Sequence, residues 1–114
     1  MFIDKFLSNS SVIGVFALYA ISLSKKHNRP FSINELCRRV KLFSPDYTNG
    51  FLIAASSIGL FSRTNYSARW TIADFDDYLM TKIKAEAYER KNMLTEEAQY
   101  LVGQLKLIES FFGE

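Results

Sequence analysis

Between residues 31 and 72 the chain writes a helix, a short turn, a second helix and two strand-like runs, in that order. This order narrows the available folds more than any other feature of the sequence. Pro30 disfavours helix at the residue before it, and Ser32-Ile33-Asn34-Glu35-Leu36 then opens one. Ser32 caps the backbone, Glu35 three residues on reaches back, and Phe31 staples against Leu36. Ile33, Leu36, Cys37 and Val40 supply the inward face, while Arg38, Arg39 and Lys41 point elsewhere. Val40 to Phe43 is the turn. Ser44 caps a second helix with Pro45 at its first position, where the missing N–H is harmless. Phe51, Leu52, Ala55 and Ile58 form its buried stripe, and Asp46, Tyr47, Asn49, Gly50, Ile53 and Ala54 are left outward. Gly59 stops it. The runs Leu60–Asn65 and Ala68–Ile72 flank Tyr66-Ser67, and Ala68, Trp70 and Ile72 alternate with Arg69 and Thr71. Two short strands are unstable alone, so Trp70 and Ile72 are expected to anchor them on the helices.

The flanking segments are helical in pattern. A first helix is predicted from Ser10 or Ser11 to Ser24 or Lys26, with Val12, Val15, Phe16, Tyr19 and Leu23 at helical spacing. Ile13, Ala17 and Ala20 widen its apolar face until burial is nearly all-round, which predicts a central element. Its apolar run falls short of the roughly 20 residues a spanning helix needs, so it reads as a core helix and not a membrane or export segment. Met1–Leu7 is expected to add a short turn packed by Phe2, Ile3 and Phe6. Asp74 opens another helix, to Lys91, with Phe75, Tyr78, Leu79, Ile83 and Ala87 on its apolar side. Beyond it, Leu94, Ala98, Leu101, Leu105, Ile108 and Phe112 step 4-3-4-3-4, the seam of a coiled coil.

Charge is divided along the chain. Residues 1–73 hold nine Lys/Arg and three Asp/Glu, a net +6; residues 74–114 hold five and nine, a net −4. A basic front suits an anionic partner, and an acidic back avoids it. Cys37 is the only cysteine and His27 the only histidine, so a disulfide within the chain is impossible and no Cys/His metal cluster can be written. Cys37 reads as a small buried hydrophobe. Asp74, Asp76 and Asp77 suit the positive end of a helix dipole better than a metal. No glycine-rich phosphate loop or nucleophile elbow occurs, so the chain is not expected to be an enzyme or to carry a cofactor. The single free cysteine also suits a cytoplasmic protein.

The stretch Pro30–Leu36, the helix Ser44–Ile58, the exit Gly59-Leu60-Phe61 and the run Arg63–Ile72 together resemble the winged helix-turn-helix superfamily of prokaryotic transcription regulators. The resemblance spans about forty residues, in pattern. It implies a mainly α fold with a small β-hairpin: a winged-helix unit over residues 1–73, then C-terminal dimerisation helices over 74–114, in one continuous compact unit. It also implies a homodimer on double-stranded DNA, with recognition helices about one helical turn apart. Phosphate contacts then fall to Lys25, Lys26, Arg29, Arg38, Arg39, Lys41, Arg63 and Arg69. Base-edge contacts fall to Tyr47, Thr48, Asn49 and Gly50. Dimerisation falls to Leu94, Ala98, Leu101, Leu105, Ile108 and Phe112. Each assignment has a plainer counterpart: Arg38, Arg39 and Lys41 also suit a solvated helix face, Arg63 and Arg69 a protected strand edge, Tyr47 a core margin, and Gly50 tight packing on the first helix. The recognition helix departs from the family pattern by carrying no Lys or Arg and by placing Asp46 in its first turn. That departure keeps a second expectation open, a winged-helix module that binds another regulatory protein as adaptor or antagonist.

Overall fold

A computed structural model describes residues 2–63, 69–71, 76–91 and 97–113. Within them the protein is mainly helical with one small antiparallel sheet, in the order α1 (Phe2–Asn9), α2 (Val12–Lys26), β1 (Phe31–Ser32), α3 (Ile33–Arg39), α4 (Pro45–Ser57), β2 (Arg69–Trp70), α5 (Asp77–Arg90) and α6 (Ala98–Phe111).

α2 is the central element. Every residue from Gly14 to Ser24 is buried, and α5, α4 and α6 all pack on it. Its start is fixed by Ser11, whose Oγ accepts from Gly14 N at 3.1 Å. Close approach to α4 depends on Gly14, because a Cβ there would lie 2.6 Å from the Phe51 ring. The packing glycine is thus Gly14. Gly50, on which tight packing was one expectation, faces open space.

α3 starts as its sequence predicts. Glu35 N donates to Ser32 Oγ at 3.1 Å and Ser32 N donates to Glu35 Oε2 at 3.3 Å, a complete capping box. Ser44 takes the cap conformation for α4 without a side-chain bond, and Gly59 ends that helix at φ +83°. Ile58, expected in the buried stripe, is 51% exposed, since it caps the helix after the last turn that faces α2. Asp76 caps α5 by accepting from Leu79 N at 2.7 Å. Tyr78, expected on the apolar side of α5, is exposed, and Ile83 and Ala87 carry the burial.

The strand that precedes α3 has no counterpart in the sequence expectation. Phe31 and Ser32 pair antiparallel with β2, Phe31 opposite Trp70 and Ser32 opposite Arg69. Ser24 Oγ lies 2.9 Å from Arg29 O and 3.1 Å from Trp70 O, so the end of α2 holds both the connection to β1 and the strand β2. Trp70 is buried as expected. Of the expected hairpin, residues 60–63 form no strand beyond a lone bridge position at Arg63, and β2 pairs with β1; residues 64–68 and Ile72 lie outside the described residues, as do Asp74, Phe75 and Leu94.

The 4-3-4-3-4 seam is spent inside the chain. Leu101, Leu105, Ile108 and Phe112 are buried in its own core, and Ala98 is half-buried. α6 packs on α3 and α2, and Gln104 Oε1 accepts from Leu42 N at 2.9 Å to hold the α3–α4 turn. The dimerisation role predicted for these residues is therefore corrected: a second copy reaching this seam would first have to displace α2 and α3. An apolar stripe looks the same in sequence whether its cover comes from the same chain or another.

Candidate nucleic-acid interface

Four of the eight predicted phosphate-binding cations converge. Arg29 from the α2–β1 connection, Arg38 and Arg39 from the last turn of α3, and Arg69 from β2 line one open surface depression of ≈ 450 Å³ with Pro30, Glu35 and Phe111. Four guanidiniums against the single carboxylate of Glu35 leave a formal +3. The convergence follows from local structure. The pairing of β1 with β2 brings Arg69 beside Ser32, and the short α3 carries Arg38 and Arg39 one turn past Glu35.

Each guanidinium is oriented by the fold. Arg69 grips Glu35 with both ends of its fork, Nη2 to Oε1 at 2.9 Å and Nη1 to Oε2 at 3.1 Å. Hydrogen bonding from Arg69 holds the Glu35 carboxyl below its ordinary pKa. Arg38 Nε donates to Asn34 O at 3.3 Å. Arg29 donates to the Phe111 carbonyl, and its guanidinium stands 4.6 Å from the centre of the Phe111 ring. Arg39 approaches the same ring at 5.9 Å. Arginine is well suited to such a surface, because its planar fork matches phosphate oxygens and its charge persists at any physiological pH.

The other predicted cations lie apart. Lys26 lines a hollow between α2 and α5 together with Asp77 and Lys84, and Lys25 is half-buried on the last turn of α2. Lys41 is exposed in the α3–α4 turn. The Arg63 guanidinium lies over the Trp70 ring, 4.5 Å from its centre.

The base-edge candidates divide. Thr48 is 0% exposed, and its Oγ1 has no hydrogen-bond partner among the described residues, so it is corrected from contact residue to core residue. Asn49 is half-buried and turned inward, with Oδ1 accepting from Trp70 Nε1 at 3.3 Å. It ties α4 to β2. Tyr47 is 47% exposed and its hydroxyl is 2.9 Å from Ser11 Oγ. Gly50 is exposed with nothing within 4 Å of a Cβ. With Asp46, Ile53, Ala54, Ser57 and Ile58 these two form one outward stripe along α4 that bears no cation. A second, smaller hollow joins this stripe to α3, lined by Ser32, Ile33, Asn34, Pro45, Asp46 and Asn49. Asn34, which lines this hollow, also accepts from Arg38 of the arginine depression through its carbonyl.

Sequence reasoning missed Glu35 and Phe111 as parts of this surface. Glu35 had one signal, being the only acid between Asp4 and Asp46. Phe111 had none, since only the docking of α6 carries it to the arginines. Among the described residues no group of three or more His, Cys, Asp or Glu is placed to hold a metal ion, and no helix is long and apolar enough to cross a membrane. Cys37 is half-buried, and burial pushes its thiol pKa up, away from nucleophilic use. No family model, curated protein or solved structure matches the chain.

Proposed function

We propose that this protein is a winged-helix-type regulator that binds duplex DNA, gripping the phosphate backbone with Arg29, Arg38, Arg39 and Arg69 and presenting the outward stripe of α4 to a groove. The observation that carries this reading is the arginine depression: four guanidiniums from three separate elements, at a net +3, around one hollow. The order α2-β1-α3-α4-β2 and the antiparallel β1–β2 pairing are in keeping with a winged helix. Gly50 lets a partner approach the middle of α4 closely.

A second reading has its own support. Tyr47, Ile53 and Ile58 are all about half exposed along α4, which is unusual apolar surface for a helix that faces phosphates. It favours a winged-helix module that docks a protein through α4.

The deciding experiment is fluorescence anisotropy of the purified protein with a random duplex at about 50 and 200 mM salt. Three neutralised phosphates, matching the net +3, predict a log–log slope of about −2.7, hence a loss of roughly fortyfold over that range. Absence of binding at the lower salt would overturn the DNA reading in favour of the protein-docking one.

A further inference from the structure

Two of the four guanidiniums in the depression rest on one ring. Arg29 stacks on Phe111 at 4.6 Å and donates to its carbonyl, Arg39 approaches the same ring at 5.9 Å, and Arg29 also lies 5.9 Å from Phe112. Phe111 lines the depression although only 6% exposed, its ring packed edge-to-face with Phe31 and Phe112. The last residue of α6 thus spans core and surface. Long side chains that are already oriented lose less freedom when they engage a ligand, and binding is tighter for it.

Resting on the DNA reading above, we propose that Phe111 is a positioning residue of the phosphate face: docking of the carboxyl end of α6 sets Arg29 and Arg39 in place for two backbone phosphates. Linkage makes the effect reciprocal, so a bound polyanion also secures the end of α6. The helix whose apolar seam suggested a dimer arm becomes the support of the anion-binding surface. Whatever loosens its last turn weakens DNA binding without removing a charge.

The test compares Phe111→Leu, which keeps a branched apolar side chain for the core, with Phe111→Tyr, which keeps the ring. Affinity for a random duplex of about 20 base pairs is measured against salt, and the order of the Arg29 and Arg39 Nε–Hε groups by heteronuclear NOE. Phe111→Leu is expected to loosen both side chains and weaken binding roughly fivefold. Its salt slope should be shallower by about 0.9 for each guanidinium released. Phe111→Tyr should match the parent. Should Phe111→Leu fail to fold, Arg29→Lys keeps the charge and the core, removes the planar stack, and is expected to weaken binding in the same direction. A folded Phe111→Leu, or Arg29→Lys in its place, with unchanged affinity and slope would overturn the role of Phe111 and leave the DNA reading standing. A parent protein that binds no duplex would overturn both.

Discussion

α3 and α4 pack against each other and turn opposite chemistries outward. α3 has seven residues, a complete capping box and two arginines in its last turn. α4 has thirteen residues, no side-chain bond at its N-cap, no cation, and an outward stripe of Tyr47, Gly50, Ile53, Ala54 and Ile58. The difference teaches that outward charge and outward apolar surface reside on separate helices. Positive charge near the carboxyl end of α3 also suits that helix's own dipole, so those arginines have a place in the fold itself. Of the stripe on α4, Tyr47 reaches Ser11 at the start of α2, while Ile53, Ala54 and Ile58 stay exposed.

The largest expected effect comes from reversing charge on α3. Arg38→Glu with Arg39→Glu changes the formal charge of the depression by −4, and duplex affinity should fall by about a hundredfold or more. A protein partner bound on α4 should be little affected, so equal losses for both ligands would erase the distinction between the helices. Next come the two glycines that mark the inner and outer sides of the α4 packing. Gly14→Ala drives a methyl group into Phe51 and should destabilise the fold by about 1–2 kcal/mol, the overpacking cost less the gain in helix propensity. Urea denaturation reads this directly. The smallest effect has the opposite sign. Gly50→Ala meets nothing within 4 Å and should stabilise the protein by about 0.5–1 kcal/mol. If a partner lies close along α4, the same change weakens binding while stability rises. Unchanged binding would remove the middle of α4 from the contact surface.

What could be read in the sequence was local. The capping box of α3, the burial of α2 on all sides, the stop at Gly59 and the anchoring of Trp70 each follow from a few adjacent residues or a helical period. β1 escaped because two residues show no periodicity, and its pairing with Arg69 and Trp70 joins positions almost forty apart. The α6 seam was visible as an apolar stripe, but a stripe does not name its cover. Among Tyr47, Thr48 and Asn49 the sequence offered three polar neighbours. Only the rotation of α4 on Gly14 and Trp70 decides that Tyr47 faces out, Asn49 leans in and Thr48 is buried. The arginines were named individually, yet the gathering of four of them required the strand pair that the sequence hid.

At the far side of α2, one carboxylate ties three helices. Glu109 Oε2 accepts from Tyr19 Oη at 2.8 Å and from Tyr88 Oη at 2.5 Å, and the two rings meet edge to face. Burial first, and then the Glu109 hydrogen bond, push the Tyr19 phenol pKa well above its ordinary value. A group whose folded pKa is raised contributes stability that is whole below its unfolded value, about 10, and drains away as pH climbs beyond it. Tyr19 therefore works as a built-in optical alarm. In alkaline titration its phenolate absorbance should appear late and together with the loss of helical circular dichroism, because the proton leaves only when the bundle opens.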